Sequence, residues 1–359
     1  MLYHLLYPLR EFFSPLRIFG YITFRAANAG VLSLLLILIF GPQVINLLKK
    51  YGIGERIRED LPHRHKKKEG TPTMGGLLVV IAVLIATLLF CDLSNPMVQI
   101  LLIAMIWFGL LGFYDDYIKT KKGHPEGIRK RVKLIFQFLY AIVIGIILYK
   151  NYGPTSSITN LLFIKNIVID FGYFYPVVIA LVIAGTSNGV NLTDGLDGLA
   201  IGVVGIASAT LAILAYISGH AIISRYLNVL FVRDAGELAI VCLALTGASL
   251  GFLWFNAYPA QIFMGDVGSL TIGGIIGTTA VLIKQEILLI LVGGVFVIEA
   301  LSVLIQVYFF RTQKRRVFLM APLHHHFELK GWPEPKIVVR FWIIAVLFGL
   351  FALATLKVR

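Results

Sequence analysis

The sequence predicts an all-α, multi-pass membrane protein of about ten transmembrane helices, with both termini outside and the active site on the cytoplasmic face. Three observations carry this. Of 359 residues, 58% are hydrophobic and only 14% are Asp, Glu, Lys or Arg, against roughly 25% charged residues in an ordinary soluble domain. Apolar runs recur along the whole chain, and about 20 residues of helix suffice to cross about 30 Å of hydrocarbon. The basic residues also fall unevenly between alternate connecting segments. The mean hydropathy of +0.85 excludes a soluble globular, a disordered and a fibrous chain.

The segment 1–22 carries aromatics with Arg10 and Arg17 and reads as an interfacial helix. The first apolar run lacks a small-residue cleavage site, so it is expected to stay as a span. The expected spans are 23–47, 74–90, 97–114, 133–149, 175–188, 198–217, 236–254, 268–283, 286–310 and 338–356. Gly293-Gly294 marks the ninth as tilted or broken. No repeat, low-complexity tract or linker divides residues 1–359, which read as one polytopic membrane domain. Two cysteines, Cys91 and Cys242, are too few for a disulfide framework, and Cys242 in its apolar run reads as a small buried hydrophobe.

The loops 48–73, 115–132, 189–197, 255–267 and 311–337 share one side and carry 20 Lys and Arg, against about nine on the other. The positive-inside rule places the first set in the cytoplasm. The net charge of +13 is therefore a topology signal, and nucleic acid is not an expected partner.

The unusual polar strings all fall on that basic side, as a single composite site would require. Lys66-Lys67-Lys68-Glu69-Gly70-Thr71-Pro72-Thr73-Met74-Gly75-Gly76 runs straight into a span. Two readings weigh equally here: a Thr N-cap on a basic loop, or a glycine-rich helix start whose amides cradle phosphate. Asp115-Asp116 closes an apolar run. Anions are disfavoured at a helix C-terminus, so a divalent cation or a basic partner from among Lys119, Lys121, Lys122, Arg129, Lys130, Arg131 and Lys133 is expected beside them. Asn191-Leu192-Thr193-Asp194-Gly195-Leu196-Asp197-Gly198 offers oxygen ligands for a hard cation, without EF-hand spacing. In Phe263-Met264-Gly265-Asp266-Val267-Gly268, Asp266 opens a span, where an N-cap is the plain reading. His324-His325-His326 cannot share one helix face and lacks the usual zinc-ligand spacing. Phosphate hydrogen bonding or proton handling suits these rings better. Glu299, inside the ninth span, is either functional or paired within the bundle.

Acids, lysines and a hard cation suit transfer of a phosphoryl group between oxygens, from a soluble nucleotide to a lipid. The strings at 68–76, 115–116, 191–198, 263–268 and 321–326 closely resemble those of the MraY family, the phospho-N-acetylmuramoyl-pentapeptide transferases. That family lies within the polyprenyl-phosphate N-acetylhexosamine-1-phosphate transferases. The resemblance runs from about residue 42 to the C-terminus, and the histidine triplet is what narrows it. It implies a multi-pass enzyme of the bacterial inner membrane that serves peptidoglycan synthesis. Such enzymes move phospho-MurNAc-pentapeptide from UDP-MurNAc-pentapeptide to undecaprenyl phosphate with Mg2+, giving lipid I and UMP, and they form homodimers. By the same resemblance Asp266 and Asn191 hold the metal, and Asp115 is the base, supported by Asp116 and Lys133. Lys68, Thr73, Asp194, Gly195, Asp197 and Phe263 would line the nucleotide site, with His324, His325 and His326 on sugar, phosphate or metal. Two rivals remain on these grounds: a sister transferase using UDP-GlcNAc, and an ion or lipid transporter, which would need more charges within its spans.

Overall fold

The computed structural model describes residues 1–54, 70–121, 127–151, 157–160 and 168–357. Each expected apolar run is a helix: α1 Ile22–Lys50, α2 Gly76–Phe90, α3 Pro96–Lys121, α4 Lys130–Asn151, α5 Tyr175–Thr193, α6 Leu199–Ser218, α7 Leu238–Asn256, α8 Gly265–Leu282, α9 Gly294–Gln313 and α10 Glu334–Ala354. Among the described residues nine of these are long and apolar enough to cross a membrane, and α2 is apolar but shorter. Segment 1–22 is not one interfacial helix but three short turns, Leu2–Leu6, Pro8–Glu11 and Ser14–Gly20. Pro8 and Pro15 explain the breaks, because proline cannot continue the hydrogen-bond ladder of a preceding turn.

The centre of the bundle is α8, buried at every residue from Val267 to Leu282. Its small residues make this possible, since close helix approach inside a membrane depends on side chains that leave the backbones room. A Cβ at Gly273 would come within 2.6 Å of the Ser187 backbone on α5, and one at Gly274 within 2.6 Å of the Phe108 ring on α3. In the same way α1 and α7 cross at Gly30 and Gly247.

The ninth apolar run does break at its glycines. A short helix, Leu289–Val292, ends at Gly293, and α9 starts afresh at Gly294. After α9 the chain doubles back along it. Gln306 accepts the Val317 and Phe318 N–H groups at 3.0 and 2.9 Å, and Glu299 accepts the Leu323 N–H at 2.7 Å. The histidine triplet therefore sits on a short helix, Leu323–Leu329, against the first turns of α9.

At the end of the bundle where α4 gives way to α5, a two-stranded antiparallel hairpin forms, β1 Ile158–Asn160 with β2 Val168–Asp170, pairing Thr159 with Ile169. Strands of three residues are too short for alternation to reveal them. The turn Lys284-Gln285-Glu286 at this end reads as bland in sequence, yet Glu286 is buried. It accepts hydrogen bonds from Tyr175 at 2.6 Å and from Thr159 at 2.8 Å, while Lys284 reaches the Tyr175 hydroxyl at 2.5 Å. A second staple joins buried Arg25 of α1 to Glu237 at 2.5 Å and to the Phe90 carbonyl at 3.0 Å. Both cysteines are free and buried.

Candidate active site

The opposite end holds the acids. Glycine contacts bring them together: a Cβ at Gly112 of α3 would overlap the Asp266 carbonyl, and one at Gly76 of α2 would overlap Gly268 of α8. With α2 and α3 meeting the first turn of α8 this closely, Asp115 and Asp116, one helical turn beyond Gly112, fall beside Asp266. One carboxylate oxygen from each of the three lies within 4.8 Å of the others.

Two ammonium groups lie among these carboxylates. Lys133, at the start of α4, is 2.7 Å from Asp115 and 2.6 Å from Asp266. Lys119, one turn after Asp115 on α3, is 2.7 Å from Asp115, 3.0 Å from Asp266 and 3.9 Å from Asp116. Three buried or half-buried acids in contact would repel strongly without such compensation. Asp115 also accepts the Ile128 N–H at 2.7 Å, which closes the chain over it from the start of α4.

The plain capping role of Asp266 passes to its neighbour. Asp116 reaches across from α3 and accepts the Val267 N–H at 2.9 Å, so it caps α8 from outside that helix. This leaves the Asp266 carboxylate free to meet the lysines. Asn191, at the end of α5, turns its amide nitrogen to Asp266 at 2.9 Å and to Ser269 at 2.8 Å. The phosphate-cradle reading of Gly75-Gly76 does not survive. The N–H groups of Gly75 and Gly76 are spent on the Phe263 and Met264 carbonyls, each at 2.8 Å. The paired glycines serve close packing instead. Thr73 does not cap α2 either, since the cap position is Gly75; its hydroxyl lies near Gly265, next to Asp116.

The chain belongs to the phospho-N-acetylmuramoyl-pentapeptide-transferase family. The model of glycosyl transferase family 4 matches residues 98–284, a stretch that contains all three clustered acids. Proteins of that transferase name match end to end, the whole of each chain being covered. They are 51% identical in Desulfotalea psychrophila, 51% in Thermodesulfovibrio yellowstonii and 49% in Koribacter versatilis.

The other residues that the resemblance to this transferase family singles out spread around the acids. Lys68 lies outside the described residues. Phe263 pairs its backbone with Pro72 and Gly75, which ties the strings at 68–76 and 263–268 into one wall. Asp197 is buried; it accepts the Ala260 N–H at 3.0 Å, and its own N–H donates to Glu334 at 2.7 Å. It braces the loop before α8 and stands apart from the acid cluster. Asp194 and Gly195 are half-buried on the turn between α5 and α6. The three histidines take three directions. His324 is buried beside Gly195 and Glu299, His325 pairs with Glu328 at 2.7 Å, and His326 accepts the Leu319 N–H at 3.1 Å. Burial, with Lys330 nearby, lowers the His326 pKa.

Two features escape the sequence reading. Lys119 stands in it as one of many nearby bases, but helical i,i+4 spacing from Asp115 marks it as facing the acids. Gln137, one turn after Lys133 in an apolar span, meets Ser187 at 3.3 Å and Asn188 at 2.6 Å, joining α4 to α5 below the site. Two polar residues at i,i+4 in such a span were the available signal.

Proposed function

We propose that this enzyme transfers phospho-MurNAc-pentapeptide from UDP-MurNAc-pentapeptide to undecaprenyl phosphate, releasing UMP and forming lipid I on the cytoplasmic side of the bacterial inner membrane. The observation that carries the reading is the meeting of Asp115, Asp116 and Asp266 with Lys119 and Lys133 at one end of the bundle, in a member of this transferase family. An oxygen of the lipid phosphate attacks the sugar-bearing phosphorus, a new phosphoanhydride forms, and the bond to the UMP phosphate breaks. Asp115 takes any proton remaining on the attacking phosphate. Lys119 and Lys133 hold anionic oxygens in place, and the buried surroundings make each such charge contact stronger than in water.

Three carboxylate oxygens at this spacing suit a hard divalent cation, and Asp266, braced by Asn191, is the residue to hold magnesium. Bound there, magnesium would neutralise charge on the pyrophosphate. A cavity of about 290 Å³ between α5 and α9, lined by Leu181, Gly185, Phe296 and Leu301 among others, would take a short stretch of the acceptor's apolar chain. The resemblance further implies a homodimer.

The test is UMP release from purified protein with undecaprenyl phosphate, magnesium and each UDP-sugar in turn. UMP from UDP-MurNAc-pentapeptide alone is expected, and release from UDP-GlcNAc alone would overturn the reading. Asp266→Asn keeps an oxygen but loses the charge. Across a magnesium titration it should lower turnover by orders of magnitude at an unchanged melting temperature.

A further inference from the structure

We propose that Glu299 is a positioning residue for His324, fixing the ring so that Nδ1 carries the proton and Nε2 is presented as an acceptor at the Gly195 turn. This rests on the reading above for the identity of the substrate, but the geometry is independent of it. Glu299 lies in the second turn of α9 and is fully buried, a costly place for a carboxylate without partners. Its Oε2 accepts the Leu323 N–H at 2.7 Å and lies 3.3 Å from His324 Nδ1, a charge contact and not an aligned hydrogen bond, since Glu299 Oε1 and both ring nitrogens of His324 have no hydrogen-bond partner among the described residues. A bare Nδ1 lone pair facing that oxygen would repel it, and a proton there turns the contact into an attraction. His325 does not compete for Glu299, because its own Nδ1 is committed to Glu328 at 2.7 Å.

With Nδ1 protonated, Nε2 of the neutral ring is an acceptor. It too has no hydrogen-bond partner among the described residues, although the ring is wholly buried. Nε2 abuts Gly195 so closely that a Cβ there would overlap it. Gly195 belongs to the turn that follows Asn191, the residue bracing Asp266. A buried acceptor left without a donor calls for an explanation, and its position supplies one. The donor we assign is a hydroxyl or amide of the sugar-peptide half of the substrate, which would reach Nε2 only if the Gly195 turn gives way on binding, because the atom has no open surface. Glu299 thus reaches the reaction through His324, as outer carboxylates orient histidines elsewhere.

The rival role is a plain cap, since Glu299 also holds the first N–H of the Leu323–Leu329 helix. Glu299→Gln separates the two, because it keeps an oxygen for Leu323 and removes the charge facing the ring. Turnover by UMP release is measured for Glu299→Gln, His324→Ala and the double variant, with His324→Asn replacing His324→Ala if the latter melts early. Nitrogen NMR of histidine-labelled protein in detergent reads the His324 tautomer, the signal being assigned by its loss in the His324 variant. Glu299→Gln should lower kcat about 10- to 100-fold at an unchanged melting temperature, and the loss should vanish when His324 is already absent. The wild-type spectrum should show a protonated Nδ1. An equal loss on both backgrounds would reduce Glu299 to a cap, and a bare Nδ1 would overturn the proposal whether or not the enzyme turns over. A wild type that releases no UMP strikes the substrate reading instead, and the tautomer measurement still decides the role of Glu299.

Discussion

A single glycine decides whether the acids meet. Gly112 and Gly109 both lie on α3 facing α8, yet their surroundings differ sharply. A Cβ at Gly112 would overlap the Asp266 backbone, whereas one at Gly109 would find only the Thr271 hydroxyl at 3.7 Å. Backbone cannot swing away as a side chain can, so Gly112→Ala must push α3 off α8 at the site itself. Overpacking of this kind costs about 1–3 kcal/mol, and a displacement of about 1 Å at a reacting centre costs on the order of 10²-fold in rate. Gly112→Ala should therefore lose turnover about a hundredfold and melt earlier, while Gly109→Ala behaves like wild type. Equal behaviour of the two variants in an activity and melting assay would remove the glycine crossing from the account. The acids and the histidine triplet are legible in the sequence because charged residues stand out in an apolar chain. The glycines were visible too, but not their purpose, since close packing and phosphate cradling ask for the same residue.

The elements show a related division. Hydrophobic runs gave the ten helices, and Gly293-Gly294 gave the break before α9. What hydropathy could not show was the polar stapling of the far end, because Lys284 and Glu286 look like an ordinary solvated turn. Burial lowers the Lys284 pKa to about 8 from the ordinary 10.5, against the opposing pull of Glu286. A lysine depressed on folding binds fewer protons in the folded than in the unfolded chain between those two values. Stability must then rise with pH across the window from about 8 to 10.5, while below it the charged amine carries its full burial cost. The melting temperature of the wild type, followed from pH 7.5 to 10.5, should climb relative to that of Lys284→Met. Parallel curves would show that Lys284 is solvated when charged and that the staple rests on Glu286, Tyr175 and Thr159.

For the whole molecule, the bundle has two chemically different ends, and their sidedness rests on charge. One end gathers Asp115, Asp116, Asp266, Lys119 and Lys133 where α3 ends and α4 and α8 begin. The other closes with the hairpin and the Arg25–Glu237 pair. The basic loops adjoin the first end, so the positive-inside rule predicts that it faces the cytoplasm, where a nucleotide donor is available. Sidedness can be measured directly because Cys91 and Cys242 are buried and should stay silent to a polar thiol reagent. Lys330 is exposed beside the histidine helix, and Tyr173 is 88% exposed beside the hairpin. In intact cells an impermeant maleimide should label Tyr173→Cys and spare Lys330→Cys, and in inverted vesicles the pattern should exchange. Labelling of Lys330→Cys from outside would put the acids on the wrong face for a cytoplasmic nucleotide. The proposed transfer reaction would then fail at the level of the whole molecule, even with every residue of the site in place.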